Sequence, residues 1–166
     1  LLFLLLSIIV LSLISSSTIE SFDNSTIYLL GDSSLANSKY VGMDQSVVSR
    51  LRASGETVVD LAMDGCPVRG LISQIKHIQC KPAVVVVSVG GNNILQKTNF
   101  ERSHWQRALD KDFASYKKIV DTLLKCSKSR IVLLDVYYPA DPEYKKYHPL
   151  IESHTECYLK PLCHHQ

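Results

Sequence analysis

The fold is decided by the stretch Thr26-Ile-Tyr-Leu-Leu-Gly-Asp-Ser-Ser34, an apolar run that ends in a small polar turn. A second stretch has the same form, Ala83-Val-Val-Val-Val-Ser-Val-Gly-Gly-Asn-Asn93. Short apolar runs bounded by turn residues are typical of buried strands. Because a helical segment and another strand run separate the two, we predict parallel strands whose carboxyl ends lie at one edge of a sheet, where α/β proteins bind their ligands.

Strands and helices are predicted to alternate from residue 26 to residue 136. Strands are expected over 26–30, 57–62, 83–89 and 130–136, the third in a central position, and helices over 41–53, 68–78 and 103–126. The inward stripes of these helices are Val47, Val48 and Leu51; Leu71, Ile72 and Ile75; and Trp105, Leu109, Phe113, Tyr116, Val120 and Leu123 or Leu124. This alternation predicts a doubly wound, flavodoxin-like α/β fold with a mostly parallel sheet. The residues after Asp141 are expected to form a loop, a short helix or a truncated element.

The composition is that of one globular domain. The chain has 166 residues, of which 46% are apolar and 20% charged, and its formal net charge is +2. These values exclude a disordered tail and a bundle of membrane helices. The basic residues form only short clusters, so no nucleic-acid partner is predicted.

The amino terminus differs from the rest of the chain. Residues 1–14 are apolar except for two serines, and a small polar stretch follows at 15–18. This pattern is typical of a signal peptide, with an uncleaved membrane anchor as the alternative. We therefore expect a leader over 1–20 and a secreted or extracytoplasmic domain over 21–166. The triplet that begins at Asn24 is an N-glycosylation acceptor, which agrees with that compartment.

The cysteine count fits an oxidising compartment. Five cysteines are compatible with two disulfides and one remaining thiol, although the sequence does not pair them: Cys66, Cys80, Cys126, Cys157 and Cys163.

Polar or small groups follow three successive predicted strands. Ser33 offers a hydroxyl nucleophile, and a backbone N–H is available at the expected start of a helix. Gly65 can turn an N–H inward without a side chain, and Asn92 adds an amide that can stabilise an oxyanion. Each segment taken alone is more typical of an ordinary turn or helix cap. Asp32 is expected to hold its own loop.

Together, Gly31-Asp32-Ser33-Ser34, Gly65 and Gly90-Gly91-Asn92-Asn93 resemble the first three sequence blocks of the SGNH hydrolases, also called the GDSL esterase/lipase family. The resemblance covers residues 26–138. It implies that Ser33 is the nucleophile and that the Ser33 amide, the Gly65 amide and the Asn92 side chain hold the oxyanion.

The sequence departs from the family pattern in three places. Ser34 replaces a leucine, Asn93 replaces an aspartate, and the Asp-x-x-His block that supplies the general base does not occur. We therefore expect a chain truncated at its carboxyl terminus, with the base beyond Gln166. Four histidines near the end are interpreted as surface residues and no base is assigned among them: His148, His154, His164 and His165.

The predicted function is hydrolysis of a carboxylic ester, on a small molecule, glycan or lipid, through an acyl-enzyme at Ser33 and without a cofactor. A secreted module that binds acylated glycans or lipids without turnover is the alternative. A nucleotide-binding or flavin-binding domain is a weaker one, because a glycine-rich phosphate loop is missing. No metal site is predicted, since Cys157, Cys163, His164 and His165 fit no zinc spacing.

Overall fold

The computed structural model describes residues 26–79, 83–97, 102–126, 130–138 and 140–163. The strands are β1 (Thr26–Gly31), β2 (Val58–Asp60), β3 (Ala83–Ser88) and β4 (Arg130–Leu134). The α-helices are α1 (Ser38–Val41), α2 (Val47–Ala53), α3 (Leu71–Ile75), α4 (Gly91–Lys97), α5 (Arg102–Cys126), α6 (His148–His154) and α7 (Lys160–Cys163). Short 3-10 helices span Val68–Gly70 and Pro142–Tyr147, and a π-helical turn spans Thr155–Leu159.

All the strand pairs are parallel, and the strand order is β2-β1-β3-β4. The two apolar runs that precede the polar turns therefore pair with each other along their whole length, with Ile27 opposite Val84 and Leu30 opposite Val87. The predicted α/β fold and the central position of β3 are confirmed. The carboxyl ends of β1 and β3 lie side by side, so the two polar turns that follow these strands are at the same edge of the sheet, as predicted.

Side chains of the central strands alternate between two cores. Tyr28, Leu30, Val85 and Val87 pack against α5 on one face of the sheet. Leu29 and Val58 pack against α2 on the other face. Since successive side chains of a strand point to opposite faces, the uninterrupted apolar sequence of β1 and β3 follows from burial on both sides.

The long helix α5 was predicted within one residue of its observed start. Its buried stripe includes Leu109, Tyr116, Val120 and Leu123, whereas Leu124 is exposed. The predicted helix over 41–53 is wrong in its first half. Gly42 has a φ of +86° and ends α1, and a new helix begins after Ser46, whose side chain accepts a hydrogen bond from the Ser49 N–H.

The prediction that Ile72 points inward is also wrong, because Ile72 is 48% exposed while Gln74 is buried. The segment starts as a 3-10 helix at Val68–Gly70 and becomes α-helical at Leu71. A 3-10 turn advances by about 120° per residue rather than about 100°, so α-helical spacing misplaces the inward face.

The segment after residue 140 contributes helices in the described part of the chain, and it contributes no strand there. Leu150, Ile151, Leu159 and Leu162 are buried, so this segment is part of the core. In the described residues β4 pairs with β3 only, and Leu134 at its end is 38% exposed. Among the described helices, none combines the length and the apolar character that a membrane span requires.

Candidate active site

Gly31 allows the ends of β1 and β3 to approach each other closely. Its φ is +130°, and a Cβ placed on it would lie 1.8 Å from the carbonyl oxygen of Ser88. The next residue, Asp32, donates its N–H to that same carbonyl oxygen at 3.0 Å. Since β2 and β3 lie on opposite sides of β1, this contact marks the point at which the strand order reverses, where ligands bind in open α/β sheets.

Ser33 lies in a tight turn, not at the start of a helix as predicted. The Asp32 carbonyl accepts hydrogen bonds from the N–H groups of Leu35 and Ala36, and the chain becomes helical only at Ser38. Ser33 is half-buried, whereas Ser34 is exposed. Among the described residues, the Ser33 hydroxyl makes no hydrogen bond.

The carboxylate of Asp32 organises this turn. One of its oxygens accepts a hydrogen bond from the Ser34 N–H at 3.0 Å, and the other lies 3.4 Å from Nδ2 of Asn92. Burial raises the pKa of the Asp32 carboxyl, while the hydrogen bonds from Ser34 and Asn92 act in the opposite direction. The expectation that Asp32 holds its own loop agrees with these contacts, which also reach the neighbouring loop.

Asn92 connects all three predicted segments. Its Nδ2 donates to the Asp32 carboxylate, next to Ser33, and also lies 3.4 Å from the carbonyl oxygen of Cys66, next to Gly65. Gly65 has a φ of +73°, and a Cβ placed on it would meet nothing within 4 Å. The left-handed turn at Gly65 is therefore open to solvent beside the Asn92 amide. The two contacts place residues adjacent to Ser33 and to Gly65 around one amide group.

Two polar residues that support the site were not assigned roles by the sequence. The side-chain carbonyl of Asn93 accepts a hydrogen bond from the Val68 N–H at 2.8 Å and so fixes the start of the segment after Gly65. Gln74 accepts from the Gly31 N–H at 2.7 Å and donates to the Gly31 carbonyl at 3.0 Å. Position 74 is three residues after buried Leu71, which is the one sequence signal for its inward orientation.

His154 is buried, so its interpretation as a surface histidine is wrong. It packs against Gly90, and a Cβ placed on that glycine would lie 2.8 Å from Nε2 of His154. Together with Asp112 and Tyr116 it lines a cavity of about 10 Å³. Burial lowers the pKa of the His154 imidazole, and the negative charge of Asp135 opposes this shift. His148 is half-buried and contacts the Tyr138 ring edge-on, whereas His164 and His165 lie outside the described residues.

Acidification is expected to destabilise the protein through His154. Its pKa is lower in the folded protein than the ordinary value of 6.5, so the unfolded chain takes up a proton first as the pH falls. As the pH falls below 6.5, the free energy of unfolding therefore decreases by at most about 1.4 kcal/mol per pH unit. The decrease ends when the pH has passed the pKa of His154 in the folded protein. Urea unfolding at a series of pH values, for the parent protein and for His154→Gln, measures this contribution.

His154→Gln should lose less stability than the parent over this pH range. An equally steep loss of stability in His154→Gln would contradict the assignment of the effect to His154.

Cys66 has a free thiol in a buried position beside the site. Its sulfur lies 3.2 Å from Nε2 of Gln74, and burial raises the pKa of the thiol. The described part of the chain does not include Cys80 or the side chains of Cys126, Cys157 and Cys163. The two expected disulfides therefore stay a prediction. The same holds for the expectation that the cysteines and histidines at the carboxyl terminus bind no metal.

Comparison with solved structures identifies the fold. The structure matches a catalytic mutant of Axe2, an acetylxylan esterase from Geobacillus stearothermophilus, with a TM-score of 0.64 and 18% sequence identity, over 84% of this chain and 72% of that chain. It also matches the psychrotrophic esterase EstA from a Pseudoalteromonas species, with a TM-score of 0.51 and 19% identity, over 82% of this chain and 75% of that chain. The chain has the SGNH-hydrolase fold. Comparison with models of protein families and with curated proteins finds no match.

The SGNH resemblance seen in the sequence is thus confirmed for the architecture. At identities this low the likeness establishes the fold alone, so the roles of Ser33, Gly65 and Asn92 stay predictions.

Proposed function

We propose that this protein hydrolyses carboxylic esters through an acyl-enzyme formed on Ser33. The observation that carries the proposal is the position of the Asn92 amide, 3.4 Å from the Asp32 carboxylate beside Ser33 and 3.4 Å from the Cys66 carbonyl beside Gly65. The residue before Ser33 and the residue after Gly65 therefore both contact the Asn92 amide, which supports a site formed by the three loops. The esterase activity named for the structurally similar proteins supports the same reaction class.

In the proposed reaction the Ser33 oxygen attacks the acyl carbon and loses its proton to a general base. The negative charge that develops on the carbonyl oxygen is held by the N–H groups of Ser33 and Gly65 and by the Asn92 amide. The alcohol leaves with the proton from the base, and water then releases the acid from Ser33. Asp32 orients the turn that carries Ser33 and receives a hydrogen bond from Asn92.

Labelling with a phosphonate ester tests this proposal. The Pseudoalteromonas esterase has been solved inhibited by monoethylphosphonate, and such a group would form a phosphonyl ester on an activated serine. We expect mass spectrometry to place one adduct on Ser33 and none on Ser33→Ala. Ser34→Ala, which changes the exposed neighbour, should label at nearly the parent rate. Labelling that persists in Ser33→Ala would assign the reaction to another residue.

A non-catalytic binding module is the second function that the observations favour. Among the described residues no base is hydrogen-bonded to the Ser33 hydroxyl, and His154 is buried against Gly90. A serine without a base is a poor nucleophile. A folded protein that binds a neutral ester but forms no phosphonyl adduct on Ser33 would support this alternative over hydrolysis.

We propose that the protein acts in a secretory or extracellular compartment, because of the apolar residues 1–14 and the glycosylation acceptor at Asn24. Residues 1–25 lie outside the described part of the chain. Expression in a eukaryotic secretory system should give a product whose mass falls after N-glycosidase treatment. Asn24→Gln should remove that shift, and a parent protein without glycan would count against the proposal.

A further inference from the structure

A pocket of about 320 Å³ lies at the start of α4, where Gly91 and then Asn92 follow β3. Gly91, the residue before Asn92, forms one wall together with Leu95 one turn later in α4. Val136 and Tyr137, which follow β4, form a second wall. Tyr144 and Tyr147, from the 3-10 helix before α6, form a third. The floor is made by Ile94 and Ile151, which are 2% and 3% exposed.

The lining is apolar and neutral. The lining residues in the described part of the chain include no charged side chain, and their polar side-chain atoms are the tyrosine hydroxyls. Leu95 is 48% exposed and Tyr137 is 70% exposed, so apolar surface faces the solvent around the opening. Covering such surface is favourable by roughly 25 cal/mol per Å². A group with several hydroxyls or a charge would find few partners here, whereas a hydrocarbon chain would bury this surface.

The walls are held in place by the fold. The Tyr144 and Tyr147 rings contact each other with their centroids 6.1 Å apart. Gly90 and Gly91 allow Val136 to lie close to the start of α4, since Cβ atoms placed on them would be 3.2 Å and 3.7 Å from the two methyl groups of Val136. The pocket therefore exists before a ligand arrives, and its volume lies at the small end of ligand pockets.

We infer that this pocket binds the hydrocarbon chain of a neutral ester whose carbonyl group lies at Asn92. The inference rests on the proposed ester chemistry of Ser33 and names the substrate class, which is an apolar ester with a chain of several carbons. Leu95 and Tyr144 are then residues that determine specificity. An acetyl group attached to a sugar would leave most of the pocket unfilled.

Binding to the Ser33→Ala protein tests the inference without turnover at that serine. Methyl acetate, methyl butyrate, methyl hexanoate and methyl octanoate are titrated by calorimetry or by ligand-detected NMR. The affinity should rise about fourfold for each added methylene until the pocket is filled. Methyl octanoate has its long chain on the acyl side of the ester, and its isomer heptyl acetate has it on the alcohol side. The isomer that binds more tightly shows which side occupies the pocket, and a preference for either one supports chain binding there.

Leu95→Trp should fill the pocket and remove the gain in affinity with chain length. Leu124→Trp changes an exposed leucine of α5 outside the pocket and should keep it. Tyr144→Ala, which removes one wall, should weaken methyl octanoate binding roughly tenfold. Affinities that do not depend on chain length, or a chain-length dependence that survives in Leu95→Trp, would overturn the inference. Absence of Ser33 labelling would overturn hydrolysis alone, because these binding measurements do not require it.

Discussion

Gly31→Ala is expected to lower the free energy of unfolding by at least about 4 kcal/mol, a loss reached by few single substitutions. The added Cβ would lie 1.8 Å from the carbonyl oxygen of Ser88 and 2.6 Å from its carbonyl carbon. These are backbone atoms of the central strand β3, so relief requires β1 and β3 to separate. Separation would weaken the Asp32 N–H bond to Ser88 and both hydrogen bonds between Gly31 and Gln74.

Gly55→Ala separates steric overlap from backbone strain. Gly55 also has a positive φ, +90°, but a Cβ placed on it would meet nothing within 4 Å. This variant should lose only about 1 to 2 kcal/mol, the cost of the left-handed conformation for a residue with a Cβ. Urea unfolding can be followed by the fluorescence of Trp105, the single tryptophan of the chain. Similar losses in the two variants would contradict the close approach of β1 and β3.

The architecture could be predicted because a few strong local patterns determine it. The apolar runs that became β1 and β3 are buried on both faces, and α5 is long enough for its apolar stripe to be unambiguous. The same patterns placed Ser33 and Asn92 at one edge of the sheet. Their proximity follows from parallel pairing, which requires no knowledge of side-chain contacts.

The supporting contacts could not be predicted in this way, because each joins residues far apart in the sequence. Gln74 bonds to a backbone group 43 residues earlier, and Asn93 bonds to one 25 residues earlier. Local patterns contain no information on such partners. The sequence shows only that Asn93 replaces the aspartate of the family pattern, whereas the structure shows that its side chain fixes the segment that follows Gly65.

The burial of His154 was missed for a related reason. The sequence near the carboxyl terminus is polar and irregular, which is typical of a surface segment. Its leucines and isoleucines nevertheless cover the core, and His154 comes to lie against Gly90. A glycine at position 90 leaves room for the imidazole, so the burial depends on a residue that is 64 positions away in the sequence.

From the proposed role of Asn92, we expect Asn92→Ala to slow acylation of Ser33 by a factor of about 10²–10³, the usual consequence of removing one oxyanion donor. The two hydrogen bonds that its amide makes in the absence of substrate are long, 3.4 Å each, and the residue is half-buried. Their loss should change the free energy of unfolding by less than about 1 kcal/mol. The variant should therefore be folded but slow.

Asn93→Ala is the matched comparison and should show the opposite pattern. Its side chain is buried and accepts the Val68 N–H at 2.8 Å, so truncation leaves a buried donor without an acceptor and costs about 1 to 3 kcal/mol. Because Asn93 bonds to the backbone behind the site, the rate should fall much less than in Asn92→Ala. The rate constants for phosphonate labelling of Ser33 and for ester hydrolysis, measured beside urea unfolding, distinguish the two asparagines. If Asn92→Ala is labelled at the parent rate, the assignment of the Asn92 amide as an oxyanion donor is wrong. The N–H groups of Ser33 and Gly65 would then be the remaining proposed donors.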